Sequence, residues 1–223
     1  MRSRYNITAF GVNATGGNAF NLWSPEHSLF YRDDSFVGKQ ARNGRPVFWA
    51  RGVGWAFGAM ARALEALPLS RAADRAEYAS KLVSLAGKLK TLQGVDGCWR
   101  SSLEDAEEFP QIETTGTSLN VFGMAYGINA GLLPKAEYSV IAAKGWACLN
   151  RPSPVGAVDE SGRLGWCQPG GAAPMGNFNS STTSDFCVGT FLLAGSEMAK
   201  LARAFKPRHI PLGGQRVPRQ VSL

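Results

Sequence analysis

The chain has 223 residues, 44% of them hydrophobic, which is enough for one sizeable core in one or two domains. Its net charge of +7 comes from its two ends: Arg2 and Arg4 supply two of the charges, and the other five come from Arg203, Lys206, Arg208, Arg216 and Arg219. The body between the ends is therefore neutral, which argues against a basic groove for nucleic acid.

Charge-poor and amphipathic helical segments alternate along the chain. Residues 53–67 carry charge at only two positions, which predicts a helix buried nearly all round. The pattern of residues 72–92 predicts an amphipathic helix. One face is solvent-exposed, and the opposite face is an apolar stripe made of Ala79, Leu82, Val83, Ala86 and Leu89. Residues 114–131 and 186–194 carry no charge, and Pro134 opens an amphipathic helix between them.

The start of the first charge-poor helix has the composition of a sugar site. Trp49 and Trp55 stand on either side of Arg51 in the sequence. An indole face covers the apolar face of a pyranose, and a guanidinium binds a carboxylate with two hydrogen bonds. The alternative is that both indoles are core residues and Arg51 is a surface charge. The pattern favours the sugar site, because a cation among indoles on a nearly uncharged helix needs a partner.

A longer repeat coincides with this alternation. Turn-and-aromatic segments at Tyr31, Trp99 and Trp166 recur at separations of 68 and 67 residues, and each precedes a charge-poor helix. Repeated pairs of one buried and one amphipathic helix predict an all-α toroid or solenoid. Close packing of the buried helices is expected to offset the cost of three helical glycines, Gly116, Gly123 and Gly127.

The remaining composition argues against metal and membrane sites. Four scattered cysteines and two histidines form no metal-ligand pattern, and no cofactor is expected. Without an amino-terminal hydrophobic run, the cysteines are predicted to be reduced thiols in a cytoplasmic protein. No segment is apolar enough to span a bilayer, so no membrane partner is expected. Residues 1–21 are expected to be irregular, and the basic segment 205–223 is expected to be a disordered tail.

Residues 22–204 resemble glycoside hydrolase families 105 and 88, the unsaturated rhamnogalacturonyl and glucuronyl hydrolases. The resemblance implies an (α/α)6 barrel with a sugar pocket at one end. About three helix hairpins are expected here, with the amino-terminal half of the ring missing. The runs that carry the resemblance are Leu29-Phe-Tyr-Arg-Asp33, Asn43-Gly-Arg-Pro-Val-Phe-Trp-Ala-Arg-Gly-Val-Gly-Trp55, Gly97-Cys-Trp-Arg-Ser-Ser-Leu103, Glu113-Thr-Thr-Gly-Thr117, Tyr126-Gly-Ile-Asn-Ala-Gly-Leu132 and Gly189-Thr-Phe-Leu-Leu-Ala-Gly-Ser-Glu197.

The reaction that the resemblance implies is hydration of the C4=C5 vinyl ether that pectin or glycosaminoglycan lyases leave on a uronic acid. An acid protonates C4, water adds at C5, and the resulting hemiketal opens and expels the rest of the oligosaccharide. Trp49 and Arg51 match the indole and the cation of such a site. Glu113 and Thr115 match a Glu-Thr motif at the start of the next inner helix, which would place them at the same mouth.

The catalytic residue is unknown from this sequence. The resemblance implies an aspartate in a Trp-x-Asp motif upstream of this segment, and the chain contains no such motif. Glu113 and Asp185 both begin charge-poor helices and could form a carboxylate pair, but helix capping is the favoured interpretation. Asp33 and Asp34 are interpreted as a solvated turn. Hairpin packing explains Trp99 and Trp166 at least as well as ligand contact does.

Two hypotheses follow for function. In the first, the chain is part of an unsaturated glycuronyl hydrolase that acts on unsaturated uronic-acid oligosaccharides in polysaccharide catabolism. As a truncated chain it would be inactive alone. In the alternative, it is a non-catalytic helical remnant or a carbohydrate-binding fragment. Self-association is expected in either case, since an open half-ring exposes apolar helix flanks.

Overall fold

The computed structural model describes residues 22–153 and 155–203. Within them the chain forms five α-helices, preceded by a short antiparallel hairpin and a 3-10 helix. The strands are β1 (Trp23–Ser24) and β2 (Leu29–Phe30), and the 3-10 helix is Asp34–Phe36. The α-helices are α1 (Ala50–Ala66), α2 (Ala72–Thr91), α3 (Thr114–Asn129), α4 (Lys135–Asn150) and α5 (Asp185–Arg203).

The helices form an array of inner and outer members. Helix α3 packs between α1 and α5, while α2 packs on α1 and α4 packs on α3. The pairs α1–α2 and α3–α4 are two hairpins, and α5 is a further inner helix packed on α3. This arrangement confirms the all-α fold class, as part of an (α/α)6-type ring.

The inner helices begin at one rim of the array. The guanidinium of Arg51 lies 5.0 Å from the ring centroid of Phe186, which joins the starts of α1 and α5. A Cβ atom on Gly116 would lie 2.9 Å from Cβ of Ala50, which joins the starts of α3 and α1. The loops that precede these helices therefore meet at the same end of the array.

The burial of α3 follows from its composition. It contains no charged side chain, and every residue from Thr114 to Ile128 is buried. Glycine permits the close approach of its neighbours: a Cβ on Gly123 would stand 2.4 Å from the ring of Phe57 on α1. This contact confirms the expected close packing of the inner helices.

Two predictions of burial were wrong. In α2, Val83 is 39% exposed and Leu85 is fully buried, because the buried stripe is turned slightly from the predicted one. Helix α5 is charge-poor in its first half but only partly buried there. It lies at the end of the array and has only one inner neighbour among the described helices, so it exposes four large apolar residues, Phe186, Val188, Leu192 and Leu193.

The prediction of reduced thiols was also wrong. Cys98 pairs with Cys148 and Cys167 pairs with Cys187, each pair in a disulfide between fully buried residues. Sequence spacing did not reveal these pairs, because their partners are 50 and 20 residues apart. The prediction of a cytoplasmic protein was based on reduced thiols. Because disulfides persist in oxidising compartments, that prediction no longer has this support.

The expectations for the chain ends, residues 1–21 and 205–223, lie outside the described residues. Among the helices that are described, none combines the length and the hydropathy that a membrane span requires.

Candidate functional site

A pocket of about 380 Å³ opens at the rim where α1 and α5 begin. Five aromatic residues, two arginines and three glycines line it. None of the described residues that line it carries a carboxyl group. The lining residues are Leu22, Phe30, Tyr31, Arg32, Trp49, Arg51, Gly52, Trp55, Ala56, Gly170, Gly171 and Phe186.

Arg51 lies at the base of this pocket and is only 3% exposed. Its guanidinium carbon lies over two rings, 4.6 Å from the centroid of Trp49 and 5.0 Å from that of Phe186. Nη1 donates to the carbonyl of Gln168 at 2.5 Å, and Nη2 donates to the carbonyl of Pro169 at 2.7 Å. Two guanidinium nitrogens of Arg51, which were expected to bind a carboxylate, therefore bind the backbone of a neighbouring loop.

Gln168 connects three segments of the site. Its Oε1 accepts hydrogen bonds from Nε1 of Trp49 at 3.0 Å and from the hydroxyl of Ser101 at 2.9 Å. Its Nε2 donates to the carbonyl of Ala173 at 2.8 Å, within its own loop. Gln168 is fully buried and satisfied by these bonds, so it fixes the indole of Trp49 against the loop that carries Gly170 and Gly171.

Glu113 and Thr115 lie behind the pocket wall rather than in it. Both are fully buried, and neither lines the pocket. Glu113 is the N-cap of α3 and accepts hydrogen bonds from the amides of Thr115 at 3.0 Å and Gly116 at 2.6 Å, and from the Thr115 hydroxyl. This geometry is that of a helix cap.

The electrostatics of Glu113 and Arg51 are coupled. Burial raises the pKa of the Glu113 carboxyl, while the hydrogen bonds from Thr115 and Gly116 and the charge of Arg51 oppose that rise. Burial lowers the pKa of the Arg51 guanidinium, and the charge of Glu113 opposes that fall. Glu113 is thus a buried acid close enough to affect the cation at the base of the pocket.

The other acids considered from the sequence are peripheral to the pocket. Asp185 is exposed at the first residue of α5 and does not line the pocket. Asp33 caps the 3-10 helix through the amide of Ser35, and Asp34 begins that helix, as expected for a solvated turn.

The two turn tryptophans pack in hairpins. Trp99 is fully buried and its Nε1 donates to the carbonyl of Leu89 at 2.8 Å. Trp166 is partly buried against the core and joins two segments through its backbone, donating to Asn179 and accepting from Thr114. Neither lines the pocket.

Several residues that line or support the pocket were not identified from the sequence as site residues. Tyr31 and Arg32 belong to a motif that carried the family resemblance, which was the available signal for them. Phe186 and Gln168 had no such signal. Gln168 hydrogen-bonds to Trp49 from 119 positions away, and no periodic pattern in its loop reports that contact.

The comparisons with known proteins agree with this geometry. The model of Glycosyl Hydrolase Family 88 matches residues 4–202, including residues 4–21, in which the sequence analysis found no family motif. An unsaturated 3S-rhamnoglycuronyl hydrolase of Alteromonas sp. (strain LOR) is 35% identical over 79% of this chain and 41% of its own length.

Two solved structures have the same fold at 34% identity. One is a family 88 glycosyl hydrolase from Bacteroides vulgatus, with a TM-score of 0.74 over 80% of this chain and 51% of the other. The second is described as a polysaccharide lyase, with a TM-score of 0.76 over 83% of this chain and 52% of the other. The chain thus spans about half the length of the relatives it matches. On the strength of the family model and these alignments, the chain belongs to glycosyl hydrolase family 88.

Proposed function

We propose that this chain forms part of the substrate pocket of an unsaturated glycuronyl hydrolase. The observation that carries the proposal is the pocket itself, in which aromatic rings surround a buried cation at one rim of an inner-helix array. Aromatic faces suit the apolar faces of sugar rings, and cations suit the carboxylate of a uronic acid. Membership of family 88 supports the same assignment.

The two arginines have different parts in this proposal. Arg51 is nearly inaccessible and holds the Gln168–Pro169 backbone, so it acts mainly through its positive charge and through the position of that loop. Arg32 lines the same pocket from an exposed position, next to Tyr31. We assign direct contact with the uronate to Arg32 and stacking on the sugar to Trp49, while Arg51 contributes its charge from its buried position.

The acid that protonates C4 is assigned to a residue outside the described pocket lining. Among the described residues none that lines the pocket carries a carboxyl group, and Glu113 is enclosed by its own helix amides. Hydration of an enol ether requires a positioned proton donor, which contributes roughly 10² to 10⁴ in rate. We therefore expect the 223-residue chain to be inactive alone. We expect it to contribute binding contacts when the rest of a family 88 site is present.

The substrate class is narrowed by the relatives. The curated relative at 35% identity acts, by its name, on unsaturated 3S-rhamnoglycuronyl substrates. We propose that the sugar bound here is an unsaturated uronate linked to a rhamnose-type residue, rather than a pectin fragment in general. The side of the pocket near Trp55, which is 37% exposed, would meet the neighbouring sugar.

Elimination is the second candidate reaction. A solved relative at 34% identity is described as a polysaccharide lyase. Tyr31 supplies an ionisable hydroxyl in a pocket that also holds two cations, which is a possible set for abstracting a proton next to a uronate. Carbohydrate binding without catalysis is the third candidate function.

One spectroscopic experiment separates these functions. The chain, alone and fused behind the amino-terminal half of a family 88 relative, is mixed with an unsaturated rhamnoglycuronyl disaccharide and with the intact polysaccharide. A hydrolase consumes the double bond, so ultraviolet absorbance of the disaccharide falls in the fused form. A lyase creates the double bond, so absorbance of the polysaccharide rises. If neither signal changes but the disaccharide is retained in equilibrium dialysis, the binding role stands and the proposed hydrolase is rejected.

A further inference from the structure

The disulfide between Cys167 and Cys187 joins two segments that contribute residues to the candidate pocket. Cys167 directly precedes Gln168, and Cys187 directly follows Phe186. The bond therefore joins the loop that Arg51 holds to the first turn of α5, which carries the ring above Arg51. Both cysteines are fully buried.

The segment that the disulfide closes has little regular structure of its own. Between Trp166 and Ser184 the described chain forms neither helix nor strand. It is held by single contacts, among them Cys167 N to the carbonyl of Thr182 at 2.9 Å and Met175 N to the hydroxyl of Ser101 at 3.1 Å. The disulfide is therefore a covalent constraint on a segment that has no helix or strand of its own to hold it in place.

The second disulfide makes no comparable connection. Cys98 lies in the turn before Trp99, and Cys148 lies near the end of α4. No residue adjacent to either cysteine lines the pocket. The two bonds are equally buried, so they form a matched pair that differs in its relation to the site.

We propose that the Cys167–Cys187 disulfide is a positioning element of the pocket, so that the pocket takes its binding form only in the oxidised chain. This inference rests on the proposed function for the identity of the ligand, but not for the geometry. The disulfide sets the distance between the Gln168–Gly171 loop and Phe186. Through Gln168 and Arg51 it also fixes the indole of Trp49.

The redox step is ordinary thiol–disulfide exchange. The two cysteine thiols give up two hydrogen atoms, the sulfur–sulfur bond forms, and a disulfide donor such as oxidised glutathione is reduced to two thiols. The inference implies that the protein works in an oxidising compartment.

The test compares two double variants of the full chain by hydrogen–deuterium exchange. Cys167→Ser with Cys187→Ser is expected to raise exchange in residues 167–176, while Cys98→Ser with Cys148→Ser leaves those amides unchanged. Wild-type chain in reducing and oxidising glutathione buffers, with the thiol state read by mass spectrometry, repeats the comparison without substitution. Circular dichroism establishes that each form retains its helices.

Binding supplies the second measurement, with an unsaturated rhamnoglycuronyl disaccharide as the probe and the fused chain as the receptor. Loss of the Cys167–Cys187 bond is expected to weaken binding by about tenfold or more, because a displaced wall misplaces several contacts together. Loss of the Cys98–Cys148 bond is expected to leave the dissociation constant unchanged.

Three results would overturn the inference: equal exchange in residues 167–176 for both double variants, a fully reduced Cys167 in chain prepared under oxidising conditions, or global loss of helix only when the Cys167–Cys187 bond is removed. If exchange responds as expected but the disaccharide does not bind the wild-type fused chain, the proposed function fails and the positioning role stands.

Discussion

At the scale of single residues, the site is defined by buried polar groups that satisfy one another. Arg51 bonds two carbonyls, Gln168 bonds an indole and a hydroxyl, and Glu113 caps the helix behind them. A buried polar group costs free energy unless it is paired, so each of these residues depends on its partners. Substitution at one position therefore leaves another unsatisfied.

Replacing Arg51 by alanine should destabilise the chain as well as damage the pocket. The variant leaves the carbonyls of Gln168 and Pro169 without their donor, at a cost of about 1.5–3 kcal/mol in the free energy of unfolding. Urea unfolding followed by circular dichroism measures this loss. Arg32→Ala is the matched control, since Arg32 lines the same pocket but is exposed, and its effect should stay within about 0.5 kcal/mol. Equal stability of the two variants would contradict a structural role for Arg51.

The buried carboxyl of Glu113 should make stability depend on pH. Burial raises its folded-state pKa above the ordinary 4.5, so folding favours the protonated form. Its contribution to stability is fully present below pH 4.5 and is lost as the pH rises through the raised folded pKa. As the pH rises through that range, the free energy of unfolding of wild type should therefore fall relative to that of Glu113→Gln.

Unfolding in urea at a series of pH values measures the difference. Glu160→Gln, at an exposed turn, is the control and should track wild type throughout. A difference between Glu113→Gln and wild type that stays constant with pH would show that the carboxyl titrates alike in the folded and unfolded chain.

At the scale of elements, the sequence predicted the positions of the helices better than it predicted their burial and their contacts. Charge alternation located α1, α3 and α5 because a helix without charge is compatible with burial on all sides. It could not predict that α5 exposes Leu192, since exposure depends on whether a neighbouring helix is present. The same limit applies to the site: Trp49 and Arg51 were found from a local motif, whereas Gln168 reaches them across 119 and 117 positions through an irregular loop.

Packing between α1 and α3 should be sensitive to a single methyl group. A Cβ at Gly123 would lie 2.4 Å from the Phe57 ring, so Gly123→Ala should cost about 1–3 kcal/mol through overpacking. Gly189 in α5 has no atom within 4 Å of the corresponding position. Gly189→Ala should therefore be neutral or stabilise the helix by up to about 1 kcal/mol. Thermal unfolding of the two variants measures the contrast, and a Gly123→Ala variant as stable as wild type would mean that the inner helices are more loosely packed.

At the scale of the whole molecule, the chain spans about half the length of its relatives, and its inner helices have unpaired apolar surface. Trp55 on α1 and Phe186, Leu192 and Leu193 on α5 are all more than a third exposed. An apolar groove between Trp55, Phe122 and Leu193 continues this surface along the inner side of the array. Surface of this kind is typical of an interface, because monomers rarely leave large apolar patches in water.

We therefore expect the isolated chain to self-associate through α5, with a second copy covering the surface that an adjoining inner helix would otherwise cover. Leu192 is 63% exposed on this surface, so Leu192→Lys should lower the association constant by about tenfold or more, equivalent to about 1.4 kcal/mol. Val140, which is 53% exposed on the outer helix α4, provides the matched control, and Val140→Lys should associate like wild type. Sedimentation equilibrium over a range of concentrations measures all three proteins. A wild-type chain that remains monomeric throughout, or a Val140→Lys variant that dissociates as readily as Leu192→Lys, would show that α5 is not the associating surface.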